Sequence, residues 1–246
     1  MRPLALALAL IGAACPEARA VDASEYLISP IVTKGERELD WQFGAGSPGT
    51  RTHSEANSGI GLGWGVNDHW ATEFSIDYHK LSTGNTKPDE LEWENVAALA
   101  DQGEWPVDVG LAFDLSKSIT GSGGLSLRFG PLFQKDFGRF LGSFNLLFMR
   151  RFGHLKPTGT ELRYQAQIEY RYSRPLDFGI QAFGRFGADG HFRVGSSRQV
   201  HRLGPVVLGS FTLTHGRSIS YNAAWLVGTT GASPDSSVRL QLEYEF

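Results

Sequence analysis

One cysteine, Cys15, is all that the 246-residue chain contains, which rules out a disulfide-stapled scaffold. A basic excess is missing as well. Lys and Arg number 23 against 26 Asp and Glu, for a net charge of −3 and a pI near 6.2. No nucleic-acid partner is expected on that balance, because such proteins carry a basic face. Beyond position 15 no run of 18 apolar residues occurs, so a helical membrane span is excluded. Helical periodicity is nearly absent. No glycine loop precedes a helix and no His/Cys/Asp cluster has zinc spacing, so neither a cofactor nor a metal is expected. Aromatics, at 12%, and glycines, at 30, are plentiful, which argues against disorder. A mean hydropathy of −0.20 leaves a soluble globular protein or a transmembrane β-barrel.

The first twenty residues read as a signal peptide. Arg2 precedes the apolar run LALALALIGAA (4–14), and Ala18-Arg19-Ala20 has the form of a cleavage site. Eleven apolar residues are too few for a membrane anchor. Lipoprotein processing at Cys15 ranks lower, because Gly12-Ala13-Ala14 lacks the usual leucine three before the cysteine. The expected mature chain, 21–246, is one domain without cysteine. That suits export to a compartment outside the cytoplasm.

Alternation of period two runs through that chain. Leu39, Trp41 and Phe43 alternate with Glu38, Asp40 and Gln42. Ile60, Leu62, Trp64 and Val66 alternate with glycines, and Phe74, Ile76 and Tyr78 with Glu73, Ser75 and Asp77. Leu91 and Trp93 oppose Glu92 and Glu94, and Leu111, Phe113 and Leu115 oppose Asp108, Asp114 and Ser116. The second half continues with Leu127 and Phe129 around Arg128, Tyr164 and Ile168 around Gln165, and Trp225 and Val227 after Tyr221. Such segments are strands with one apolar and one polar face. Two stretches, 137–151 and 200–213, are apolar on both registers and leave their facing open; Gly204-Pro205 suggests a bulge or local break in the second. The count reaches twelve strands.

Connection lengths alternate too. Short turns at 67–68, 102–106, 135–138, 173–175 and 215–217 follow the even strands. Longer Gly/Ser/Thr/Pro-rich loops such as 44–57, 81–90, 153–160, 187–197 and 229–236 follow odd ones. An up-and-down outer-membrane β-barrel has this pattern, with short periplasmic turns and long outer loops. A soluble β-sandwich shares the alternation. Against it stand the aromatic content of the apolar faces and the scarcity of lysine, with which soluble sheets protect their edges. The expected fold is therefore an all-β, antiparallel transmembrane barrel of twelve strands.

The last strand ends in Tyr244 and Phe246. There the chain resembles bacterial outer-membrane proteins, whose terminal Phe is read by the barrel-assembly machinery. The hairpin GIGLGWGVNDHWATEF (59–74) resembles small Gram-negative outer-membrane channel proteins related to the phenol-degradation MetA-pathway family. The resemblance implies a channel class, an outer-membrane location with lipid around the barrel, and no particular solute.

Charge divides along the chain. From 21 to 115 there are 17 acidic and 5 basic residues, and from 116 to 246 there are 8 acidic and 16 basic. On the polar register this predicts a lumen-lining acidic wall of Glu38, Asp40, Glu73, Asp77, Glu92, Glu94, Asp108 and Asp114. A basic wall of Arg128, Arg163, Arg171, Arg185 and Arg239 faces it. Arg or Lys on the lipid face would cost about 2–4 kcal/mol at mid-bilayer. The walls either stand apart across water and select a small polar or aromatic solute, or pair and plug the barrel. The first outcome is a passive, porin-like channel; the second is a closed structural barrel acting through its outer loops.

An outer-membrane lipid hydrolase is the remaining class. His79 and Ser82 are the one pair with a base and a hydroxyl at a suitable place, and no third group orients them. His53, His154 and His191 fall in loops. Catalytic residues are therefore not expected. Asp89, Glu90, Glu92 and Glu94 read as solvated rim charge rather than a calcium site, which needs six or more oxygens.

Overall fold

A computed structural model of the chain describes residues 25–47, 55–81, 87–119, 124–153, 159–187 and 199–246. The expected signal segment, Ser82, and the histidines His53, His154 and His191 lie outside the described residues. Twelve antiparallel strands close into one barrel. They are β1 (Arg37–Gly46), β2 (Glu55–Asn67), β3 (Trp70–Leu81), β4 (Lys87–Ala98), β5 (Asp108–Ser118) and β6 (Leu125–Phe137). The ring continues with β7 (Phe140–Phe152), β8 (Glu161–Ser173), β9 (Leu176–Arg185), β10 (Val200–Thr212), β11 (Ser218–Gly228) and β12 (Ser236–Glu245). Each strand pairs with its sequence neighbours, and β1 closes the ring on β12 with Leu39 opposite Tyr244 and Trp41 opposite Leu242. Phe246 adds a bond from its N–H to the Arg37 carbonyl, 2.9 Å long. Closure leaves no strand edge unpaired.

The short connections gather at one end, together with the start of β1 and the chain terminus. Two-residue turns join β2 to β3 and β6 to β7. In the second, Gly138 has φ 77°, the left-handed value that the first central position of a tight hairpin needs and that glycine adopts without penalty.

Parity decides which way each side chain points. The odd residues of β4 and β5 carry Leu91, Trp93, Leu111 and Phe113, all exposed on the outside of the barrel. Their even neighbours Glu94, Val96, Ala112 and Asp114 are buried inside it. The open stretches resolve on the same rule. In β7, Ser143, Asn145 and Leu147 point inward while Phe140, Phe144 and Phe152 point outward. In β10, Val200, Arg202 and Val206 are inward and Leu203 and Phe211 outward. No bulge forms at Gly204-Pro205. The ladder to β11 lacks bonds at these two residues and resumes in unchanged register, Leu203 opposite Val227 and Val206 opposite Ala224. Gly130-Pro131 interrupts the β6–β7 ladder in the same way. Proline has no N–H to give, so both sites are breaks rather than insertions.

The interior is not uniformly polar. Val96, Ala112, Leu132 and Leu147 form one apolar patch, and Phe183, Val206, Ala224 and Leu226 a second. The first reads as an exception to the polar register until the segment before β1 is placed.

Candidate functional site: the barrel lumen

Residues 25–36 run inside the barrel. Ile28 is 3% exposed and packs on Val96, Ala112, Leu132 and Leu147. The Ile28 carbonyl accepts from Asn145 Nδ2 at 2.8 Å, and its N–H donates to Gln165 Oε1 at 3.3 Å. Asn145 Nδ2 also donates to Gln165 Oε1 at 2.8 Å, and both side chains are fully buried. The Tyr26 hydroxyl donates to Glu94 Oε2 at 2.9 Å. Burial, and then the Glu94 charge, push the Tyr26 phenol well above its usual value, so it remains a donor. The strap therefore meets the inner wall as a core segment would, with its side chain on an apolar patch and its backbone polar groups bonded.

At the short-turn end the strap is tied to β2. Gly35 N–H donates to Gly65 O at 2.8 Å, Gly65 N–H to Glu36 O at 2.9 Å, and Lys34 bridges to Asp68 at 3.4 Å. A Cβ on Gly65 would collide with the Thr33 carbonyl. The other inward glycines of β2 make room for carboxylates. Side chains at Gly59, Gly61 and Gly63 would strike those of Asp77, Glu73 and Glu38 respectively. An unbroken glycine face thus lets flanking acids lean over β2.

The predicted acidic residues are placed as follows. Asp114, Asp40 and Glu94 are buried, at 0, 3 and 8% exposure, while Glu38, Glu73, Asp77 and Glu92 are half-buried on inward positions. Register sets Glu73 opposite Glu94 and Glu94 opposite Asp114. Asp108 departs from the expectation: it sits at the mouth, where its Oδ1 accepts from the Gly103 N–H at 2.6 Å and holds the turn before β5. Glu92 and Glu94 are not rim charges; they lie within the barrel wall's inner face.

The predicted basic residues require a larger correction. Arg128 does not oppose the acids across the lumen but lies among them. Its Nη2 is 2.8 Å from Glu92 and 3.0 Å from Glu94, and its Nε bonds to Asp114. The cause is local, since β6 adjoins β5 and Arg128 stands directly opposite Asp114. Arg171 is half-exposed at the short-turn rim, bridged to Asp136. Arg163 and Arg185 stand together on the far side, whereas Arg239 starts from β12, which adjoins the acid-bearing β1. Arg163 and Arg185 face each other in the ladder, and Glu161 sits between them, 2.6 Å from Arg163 Nε and 3.8 Å from Arg185 Nε. Arg239 reaches Gln181 Oε1 at 2.5 Å, and Gln181 in turn donates to Gln167 at 2.5 Å.

Three partners escaped sequence reading. Arg202 lies in the stretch of open register, and its Nη2 pairs with Glu25 at 3.0 Å. Glu25 itself precedes the first strand and carries no periodic signal. Phe183 is an aromatic on the polar face, 1% exposed, with the guanidiniums of Arg202 and Arg239 at 5.7 and 5.3 Å from its ring centre.

Free space is uneven. A cavity of about 310 Å³ lies between the strap and the acidic side, lined by Glu38, Asp40, Glu73 and Glu243, and one of about 280 Å³ lies at the short-turn end of β8–β12. Around Glu25, Arg163, Arg185 and Arg202 it shrinks to about 10 Å³, about the space of a single water.

Outside, aromatic pairs band the barrel. Trp64, Phe74 and Trp93 stack across three strands with centroids 6.0 and 5.9 Å apart. Phe140–Tyr170, Tyr172–Phe178, Phe211–Tyr221 and Tyr244–Phe246 mark the short-turn end. An exterior of aromatic and aliphatic side chains around a polar interior inverts the pattern of a water-soluble fold.

No protein-family model matches the chain, and no curated protein matches it. Solved structures share its architecture. An outer membrane channel from Pseudomonas putida F1 superposes with a TM-score of 0.61 at 11% identity, over 92% of this chain and 99% of that one. The NanC porin gives 0.57 at 12% identity, over 85% and 98%. The KdgM porin gives 0.51 at 10% identity, over 85% and 99%. The likeness is one of fold: this chain is a closed, antiparallel twelve-stranded barrel like those proteins.

Proposed function

We propose that the chain is an outer-membrane channel for the passive passage of a small polar or aromatic solute, exported by its N-terminal signal and narrowed by its own strap. The observation that carries this reading is the inverted barrel, apolar outside and charged inside, which retains a cavity of about 310 Å³ beside the strap. In such a lumen the acids of β1, β3 and β4 and the arginines of β8–β10 act on a solute from opposite sides. The names of the similar barrels, two porins and a channel, support a transport role over an enzymatic one. The 59–74 hairpin keeps the MetA-pathway channels as the family we favour. Phe246, stacked on Tyr244 and closing the seam, is the terminal signal offered to the assembly machinery.

The strap supports a second reading, a barrel closed at rest. Planar-bilayer recordings of the full chain and of a variant lacking residues 25–33 separate the two. A channel narrowed by its strap gives stepwise currents from both, larger by several-fold in the deletion. Currents from the deletion alone establish the closed barrel. Silence from both, with the heat-modifiable gel shift of a folded barrel retained, removes the channel function.

A further inference from the structure

We propose that Glu36, Glu38 and Glu243, with Asp40 beside them, form a calcium site that fastens the end of the strap to the β1–β12 seam. The site is independent of the channel reading, because it needs only the folded barrel.

Three pieces of chain supply the carboxylates. Glu36 ends the strap, Glu38 lies on β1 and Glu243 on β12. An oxygen from each of the three lies within 4.8 Å of the other two. Asp40 stands directly opposite Glu243 across the seam, and all four acids line the cavity of about 310 Å³. Carboxylates this close disfavour one another's charge unless a cation stands among them. Among the described residues, no Lys or Arg forms an ion pair with any of the four. Arg239 places a positive charge near Asp40, but its Nη1 donates to Gln181 at 2.5 Å and Asn222 at 3.4 Å.

Asp40 points to a ligand on separate grounds. It is 3% exposed, and its Oδ2 accepts from Gln42 Nε2 at 2.6 Å. Its Oδ1 is buried on the cavity side of the seam and accepts no hydrogen bond. A buried anionic oxygen left in that state is costly, and a cation or a water bound to one satisfies it. The glycine face of β2 keeps the approach clear. A side chain at Gly63 would strike the carboxylate of Glu38, and one at Gly61 that of Glu73.

The donor set selects the metal. Every candidate ligand is a carboxylate oxygen, and neither His nor Cys lines the cavity, which favours a hard cation over zinc or copper. Calcium takes 6–8 oxygens in a flexible geometry and accepts carboxylates singly or bidentately. Magnesium demands a near-ideal octahedron and uses one or two carboxylates. Three glutamates on separate segments, with a water-sized cavity next to them, suit calcium. Bound there, the ion links Glu36 to β12 and fixes where the strap leaves the lumen.

The test uses the refolded barrel in a non-ionic detergent, freed of metal with a chelator and returned to fixed sodium chloride. Titration calorimetry with calcium chloride is expected to show one site, at least tenfold tighter for calcium than for magnesium. Glu243→Gln should weaken calcium at least tenfold, while Asp235→Asn, at an exposed acid of the β11–β12 connection, should leave it unchanged. Equal response to calcium and magnesium, or equal calcium affinity in Glu243→Gln and the unaltered protein, shows a diffuse counter-ion cloud and overturns the site. Where Glu243→Gln lacks the heat-modifiable shift of a folded barrel, Glu38→Gln is judged by the same criterion. Glu36→Gln tests the link to the strap. A comparable loss of calcium affinity upholds it, and undiminished affinity defeats the fastening.

Discussion

Arg128 is held by Glu92, Glu94 and Asp114 at once. Its contribution is defensive, since three neighbouring carboxylates on β4 and β5 would otherwise repel one another in a low-dielectric interior. Arg128→Ala is expected to cost about 3–5 kcal/mol, the range for stripping one partner from a buried ion cluster, measured by urea unfolding in lipid vesicles. Acid behaves in the opposite sense at the short-turn mouth. Glu36 lies just before β1, near Glu38 and Glu243. Burial, and then the charge of Glu245, raise the Glu36 carboxyl above its usual range. The folded chain thus holds a proton there at pH values where the unfolded chain has released it, so stability falls as pH rises through that interval. Glu36→Gln should raise the unfolding midpoint at pH 8 and leave it unchanged at pH 4, in parallel urea titrations. A gain at pH 4 as large as at pH 8 would contradict the assignment.

At the scale of single strands, alternation made ten of the twelve legible, because a period of two assigns each residue to a face without knowledge of its neighbours. The two opaque strands, β7 and β10, have a common cause. They carry apolar residues inward: Leu147 in β7 meets Ile28 of the strap, and Val206 in β10 meets Phe183, Ala224 and Leu226. Both faces then read as apolar, and parity loses its signal. The Gly-Pro steps are a second element-level feature. At Gly204 the carbonyl of Trp225 lies so close that a side chain would strike backbone. Gly204→Val is expected to destabilise the barrel by about 1–3 kcal/mol, as overpacking does, seen as a lower midpoint in the same urea assay. Gly231, with open space around its Cβ position, is the control for which valine should do little.

Taken whole, the molecule depends on its inverted surface. Phe74, 50% exposed in the middle of the Trp64–Trp93 stack, is a lipid-facing position on the proposed reading. Phe74→Lys should cost about 2–4 kcal/mol if that stack lies near the bilayer midplane and less towards the interface. Equal yield of folded barrel from Phe74→Lys in detergent and in vesicles would argue against a membrane around this face. Charge within the lumen is likewise a whole-molecule property. The split between acidic and basic halves is plain in the sequence, but opposed walls describe it only in part. Arg128 joins the acids next to it, Arg171 and Asp108 go to the rim, and Arg202 with Glu25 completes the basic side.

By itself the sequence determined the number of strands, the alternation of short and long connections, and which face of most strands is apolar. These are local properties, written in spacings of one or two residues along the backbone. The facing of β7 and β10, the partner of each charge, and the passage of residues 25–36 through the lumen were decided by the tertiary structure. The strap has no periodicity of its own, and its partners Asn145, Gln165 and Arg202 lie more than a hundred residues away. A barrel must close before it has an interior, and only that interior determines what fills it.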